Sequence, residues 1–136
     1  MTRIFSLLAA ATVALGVSTL RAEDKKPYTD SEFVAKAASG GLHEVEMGKL
    51  ASERAKRQEV KDFGKKMAED HGKANMALKT AAASAGIIIV EKQNEEHQKM
   101  YDKFKAMTGG DFDAEYIKHM KHDHEMDIKG NRSQPD

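Results

Sequence analysis

A nine-residue pattern of one aromatic residue, one methionine and an Asp-His pair occurs twice in this chain with identical spacing. The first copy is Phe63, Met67, Asp70 and His71, the second Tyr116, Met120, Asp123 and His124. On a helix, Met and His four residues apart share a face, so each copy presents a thioether beside an imidazole. Such a repeat is either a duplicated half of a metal site or a duplicated packing unit, and each needs helices in both places.

The rest of the chain agrees with helices. Met1, Thr2 and Arg3 precede the apolar run from Ile4 to Leu20, and the composition then turns to Ala22, Glu23, Asp24, Lys25, Lys26 and Pro27. A short basic start and an apolar middle of this kind predict a secretory signal peptide over residues 1–22, and hence a periplasmic or otherwise exported protein with no membrane span after its removal. A retained spanning helix would want about 20 apolar residues. Removing 22 of the 136 residues leaves 114, enough for one small core. Arg3 and Arg21 leave with the leader, so 20 basic face 22 acidic side chains and the net charge is −2 with His neutral. That balance speaks against nucleic acid as a partner, because non-specific binding needs a basic surface to displace counterions. Cysteine is absent, so the domain must stand without disulfides, and any soft metal ligand must be Met or His.

Thr29 and Glu32 form a capping-box pattern flanked by Tyr28 and Phe33 in staple positions, which predicts a helix from there to about residue 56. Its inward stripe is Val34, Ala37, Ala38, Gly41, Val45, Gly48, Ala51 and Ala55, small enough to admit a neighbouring helix at close range, at about 1 kcal/mol for each glycine. Val60, Phe63, Gly64, Met67, Ala74, Leu78, Ala81, Ala82 and Ala85 recur at helical spacing and predict a second helix over residues 59–85, ended by Gly86. Ile87, Ile88, Ile89 and Val90 read as a connector sealing one end of the bundle. A shorter helix over residues 91–107 is broken by Thr108, Gly109 and Gly110. Asp111 then caps a last helix reaching about residue 129, with Asp113 and Glu115 in its positive first turn. The expected domain covers residues 23–129, residues 130–136 form a disordered tail, and the fold class is an all-α antiparallel bundle.

At about 100° per residue, Glu44 falls on the small-residue stripe of the first helix, while His43 and Glu46 point away. Burying a lone carboxylate is costly, so Glu44 needs a partner. His71 lies near the middle of the second helix's stripe with Asp70 at its edge. His124 lies with Met120, Tyr116, Ile117 and Ile128, and His119 and His122 fall on the more polar side. His97, among Glu95, Glu96, Gln98 and Lys99, is expected in solvent. Other chemistries lack their residues: there is no Cys nucleophile, no Gly-x-Ser-x-Gly elbow and no phosphate-cradling glycine loop, and Met47 stands where a zinc protease would carry its second His.

With these residues placed, the chain resembles the family catalogued as domain of unknown function 4142. The resemblance runs from about Asp30 to Asp127 and is carried by Glu44-Val45, Gly48, Leu50 and Ala51, by Val60 through Phe63 with Met67, Asp70 and His71, and by Gly110, Phe112-Asp113, Tyr116, Met120 and Asp123-His124. It implies an exported, ferritin-like helical bundle and brings no settled activity with it. Ferritin-like di-iron proteins carry Glu-x-x-His pairs, but here Ala68 and Lys121 stand three residues before His71 and His124, so a standard di-iron oxidase is not expected. Members of the family usually continue into a further helix with another histidine, where this sequence has a polar tail. The bundle is therefore expected to be incomplete at its C-terminus and to self-associate or take a protein partner.

The functional expectation is a non-enzymatic exported bundle protein serving envelope stress or metal handling. It binds one copper or iron ion through His71, His124, Met67 and Met120, with Glu44, Asp70 and Asp123 as ligands or supports, since thioether with imidazole suits copper. The competing expectation is a structural or interaction module whose buried His and Asp only fix helix packing.

Overall fold

A computed structural model describes residues 28–107 and 111–132. They form four helices, α1 Asp30–Arg54, α2 Gln58–Ser84, α3 Glu95–Ala106 and α4 Phe112–Arg132, with no strand among the described residues. The fold class is all-α. None of these helices is long and apolar enough to cross a membrane. The expected leader, the break at residues 108–110 and the last four tail residues lie outside the described residues. Residues 130–132, expected in the tail, continue α4.

α1 is the central element, with α2 packed along it most extensively and α3 and α4 against its remaining sides. Its start is the capping box read from Thr29 and Glu32, with Glu32 N–H donating to Thr29 Oγ1 at 3.3 Å and Thr29 N–H donating to Glu32 Oε2 at 2.8 Å. Tyr28 and Phe33, expected to staple this end, are 46% and 45% exposed. α2 runs antiparallel to α1, since Gly48 meets Gly64 and Gly41 meets Asn75. A Cβ built on either of the first two glycines would lie 2.6 Å from the other's carbonyl oxygen. The small stripe therefore brings two backbones into contact at a point where no other residue fits.

Two helix ends show how the connections are set. At the end of α2, Gly86 takes φ 72°, with Ile87 N–H bonded to Ala82 O at 2.8 Å and Gly86 N–H to Ala83 O at 3.1 Å, the paired closure that a left-handed glycine permits. The start of α2 has no cap from its own Arg57 side chain. Asp113 of α4 supplies it instead, accepting from Lys56 N–H at 3.0 Å and Arg57 N–H at 2.8 Å. These backbone bonds hold the Asp113 carboxyl below the usual aspartate range. Sequence reasoning placed Asp113 in service of its own helix, whereas it pins α4 to the α1–α2 turn.

The connector after α2 does not seal the bundle as expected. Its side chains alternate in exposure, Ile88 at 90% and Val90 at 73% while Ile87 and Ile89 are half-buried. α3 also starts later than the pattern suggested, at Glu95, because Asn94 caps it by accepting His97 N–H at 2.8 Å. The delay leaves Gln93 outside the helix and buried. Met47, Leu50, Ala51, Ala55, Val60, Met67, Phe104, Phe112, Tyr116 and Met120 form the apolar core around the α1–α2 turn. Polar groups take over one turn further along α1.

Candidate metal centre

The two copies of the repeat face each other in register. Phe63 and Tyr116 make an edge-to-face ring pair at 6.0 Å, and eight residues on, His71 and His124 stack at 5.8 Å. α2 and α4 thus run side by side in the same direction. Met67 and Met120, between these pairs, are 6% and 1% exposed within the apolar core, so the packing reading accounts for the methionines.

Glu44 of α1 lies against both imidazoles. His71 Nδ1 is 2.7 Å from Glu44 Oε2 and His124 Nε2 is 2.9 Å from Glu44 Oε1. The Glu44 side chain is 8% exposed, and burial pushes its carboxyl upward. Hydrogen bonds and charge from His71, reinforced by His124, outweigh that and hold it below its ordinary value. The Glu44 hydrogen bond raises His71 in turn, against its own burial. A buried carboxylate needs such compensation, since burying a charge without a partner is costly. Three helices meet at this one carboxylate, each contributing a ligand-type group.

The first member of each Asp-His pair behaves differently in the two copies. Asp70 is paired with Lys66 at 2.6 Å on the exposed face and reaches His71 only through its charge. Asp123 is half-buried, 3.1 Å from His119 Nε2 and 4.0 Å from His43 Nε2. His43 was expected to point away from the core and is 1% exposed; His119 was assigned to the polar side and is 12% exposed. Glu46, also expected outward, is half-buried and accepts a hydrogen bond from Gln93 Nε2. His97, expected in solvent, is half-buried, 2.8 Å from Ser39 Oγ and stacked on His43 with centroids 4.8 Å apart. One physical reason covers the two on α1, His43 and Glu46: α1 is surrounded, so reading it with a single inward stripe sends side chains buried on its other faces to solvent, and His97 of α3 and His119 of α4 are the side chains that meet His43 there. The signal was in the sequence, because between Lys36 and Lys49 only His43, Glu44 and Glu46 are ionisable.

Two groups of potential ligands result, Glu44 with His71 and His124, and His43 with His119 and Asp123. Within each, the ligand atoms all lie within 4.8 Å of one another. Each offers two imidazoles and one carboxylate, a set that suits first-row divalent ions and leaves coordination positions open. Close by, the Tyr116 hydroxyl is buried with no hydrogen-bond partner among the described residues. Burial, and the Glu44 charge after it, push its pKa up, so it stays protonated.

A family model described as "Domain of unknown function (DUF4142)" matches residues 16–133, most of the chain, which therefore belongs to that family. No curated protein and no solved structure matches it.

Proposed function

For this member of the DUF4142 family, whose name assigns no activity, we propose a role in binding a transition-metal ion, iron or copper, at Glu44, His71 and His124. The observation that carries this reading is the convergence of three helices on the Glu44 carboxylate, with one imidazole at each oxygen. Two nitrogens and a carboxylate favour iron(II) or copper(II); the case for a softer copper(I) ion rested on Met67 and Met120, which pack in the core. Such an ion would stiffen the α1, α2 and α4 junction, and its open positions would accept water or a small ligand. On this reading the protein works outside the cytoplasmic membrane, in metal handling or stress tolerance of the envelope, in keeping with the apolar run of its first residues. The exposed Ile117, Met126 and Ile128 of α4 support self-association or a protein partner on that helix, which sedimentation of the purified chain would detect as a species larger than a monomer.

The test is elemental analysis of the protein purified without chelator or histidine tag, beside a His71→Ala, His124→Ala double variant. The wild type is expected to hold about one iron or copper per chain more than the double variant. Equal metal in the variant and the wild type, or none bound by the wild type after reconstitution, would overturn it. A second reading has its own support: Glu44 is already satisfied by two imidazole donors, as a purely structural register device would be. That reading expects His71→Leu to change thermal stability alone.

A further inference from the structure

The group around His43 contains a chain of polar contacts that leads to a definite protonation state. Gln93 Nε2 donates to the Glu46 carboxylate, which can only accept. The amide orientation is thereby settled, and the Gln93 carbonyl oxygen is the atom that faces His43 Nδ1, at 3.0 Å. A carbonyl also only accepts, so Nδ1 carries the His43 proton. In the neutral ring Nε2 is then a bare lone pair. That lone pair points at His119 Nε2, 3.0 Å away, beside Asp123 Oδ2, 3.1 Å from His119 Nε2 and 4.0 Å from His43 Nε2.

An imidazole that donates one N–H to an oxygen acceptor and aims its other nitrogen into a cluster of further ligands has the arrangement that orients metal-bound histidine. The ring is also held from the side, by the His97 imidazole stacked on it at 14°. His97 in turn sits on Ser39 Oγ, which accepts Asn94 N–H at 2.8 Å, so the start of α3 braces the ring. Ligand atoms around one ion with bonds near 2.05 Å stand about 3.0–3.4 Å apart. Two of the three edges here match that spacing, and the third, from His43 Nε2 to Asp123 Oδ2, is longer at 4.0 Å, so ion binding would draw Asp123 inward. His119 and Asp123 lie one turn apart on α4 and His43 lies on α1, so a bound ion would staple α4 to the central helix.

We propose that His43, His119 and Asp123 form a second metal site, distinct from the Glu44 group and held in shape by Gln93 and Glu46, for a divalent ion of the zinc and copper(II) class. Imidazole nitrogens in this number select such ions over magnesium or calcium. The inference rests on a separate set of side chains from the Glu44 reading, and each can fail alone.

The test uses the full chain, freed of metal with chelator, carrying no histidine tag, and titrated with zinc chloride by calorimetry. The wild type should take two zinc ions. Asp123→Asn, nearly isosteric, and His119→Gln should each bind one, and Glu44→Gln should also bind one, losing the other. Gln93→Leu should leave two sites with one weakened about 10- to 100-fold. Far-ultraviolet circular dichroism checks the helices, and if His119→Gln fails to fold, Asp123→Asn decides. A single zinc lost in Glu44→Gln and kept in Asp123→Asn overturns the second site and leaves the first. The opposite pattern supports the second site and removes the first. Two ions retained in Asp123→Asn, all zinc lost in either single variant, or none in the wild type would overturn the proposal of a distinct site.

Discussion

The α2 and α4 copies of the repeat have the same residue spacing but different surroundings, and the difference separates what the pattern does from what its context does. In both copies the aromatic and Met pack into the core and the His reaches Glu44. The neighbours diverge. Asp70 faces Lys66 and solvent, while Asp123 turns toward His119 and His43. After its aromatic residue, α2 carries Gly64 at the point of backbone contact with α1, while α4 carries Ile117, 41% exposed. One helix is pressed against the centre of the bundle, and the other reaches it through side chains. A shared spacing thus guarantees a shared face without fixing what that face meets.

The largest expected effect breaks the comparison at those neighbours. Gly64→Ala should destabilise the protein by about 3 kcal/mol or more, because its new methyl would sit 2.6 Å from the Gly48 carbonyl oxygen. Ile117→Ala should cost under about 1 kcal/mol. Urea denaturation of both variants measures the contrast, and equal losses would mean that the two helices are held in the same way.

Next in size is the shared acceptor. Glu44→Gln leaves both imidazoles without their anion and should cost about 2 kcal/mol in metal-free protein. The loss should depend on pH. His71 is raised above 6.5 by Glu44, so the stability from this pairing is fully present below 6.5 and lost as pH rises through the raised value. Glu44 is held below 4.5, so its contribution is present above 4.5 and lost as pH falls through the depressed value. His43 and His119, kept neutral mainly by burial, lose stability as pH falls below 6.5. Metal-free wild type should therefore be most stable near that pH. In Glu44→Gln the alkaline decline should vanish while the histidine part of the acid decline stays. Melting temperatures across the range would show it.

Much of this was legible in the sequence. The Thr29 capping box, the glycine stop at Gly86, the small stripe of α1 and the inward Glu44 are all local patterns whose physics is complete within one helix. Asp123 also reads as a candidate ligand, but side chains whose role is set by another element were not legible from one helix at a time. His43 is buried by elements on the far side of α1, Gln93 turns inward only because Asn94 delays α3, and Asp113 caps a helix more than fifty residues away in the chain. A helical wheel reports one face per helix and misses a helix that has several.

Two smaller effects sharpen the comparison. Tyr116→Phe makes the aromatic positions of the two copies alike and removes a hydroxyl with no partner among the described residues, so metal-free stability should hold or rise by up to about 1 kcal/mol. A clear drop in thermal denaturation would mean that the hydroxyl is bonded. The smallest effect is at the paired aspartates. Asp70→Asn should leave the melting temperature and the metal content unchanged, since Lys66 is an exposed partner, whereas Asp123→Asn should change zinc uptake; identical behaviour would make the difference between the copies incidental.

The most direct measurement is crystallographic: anomalous diffraction at the iron and copper edges from protein purified without chelator. A peak about 2.0–2.2 Å from His71 Nδ1, His124 Nε2 and a Glu44 oxygen is the expected result. Glu44 still hydrogen-bonded to both imidazoles, with no anomalous peak between them after soaking with either metal, would contradict it.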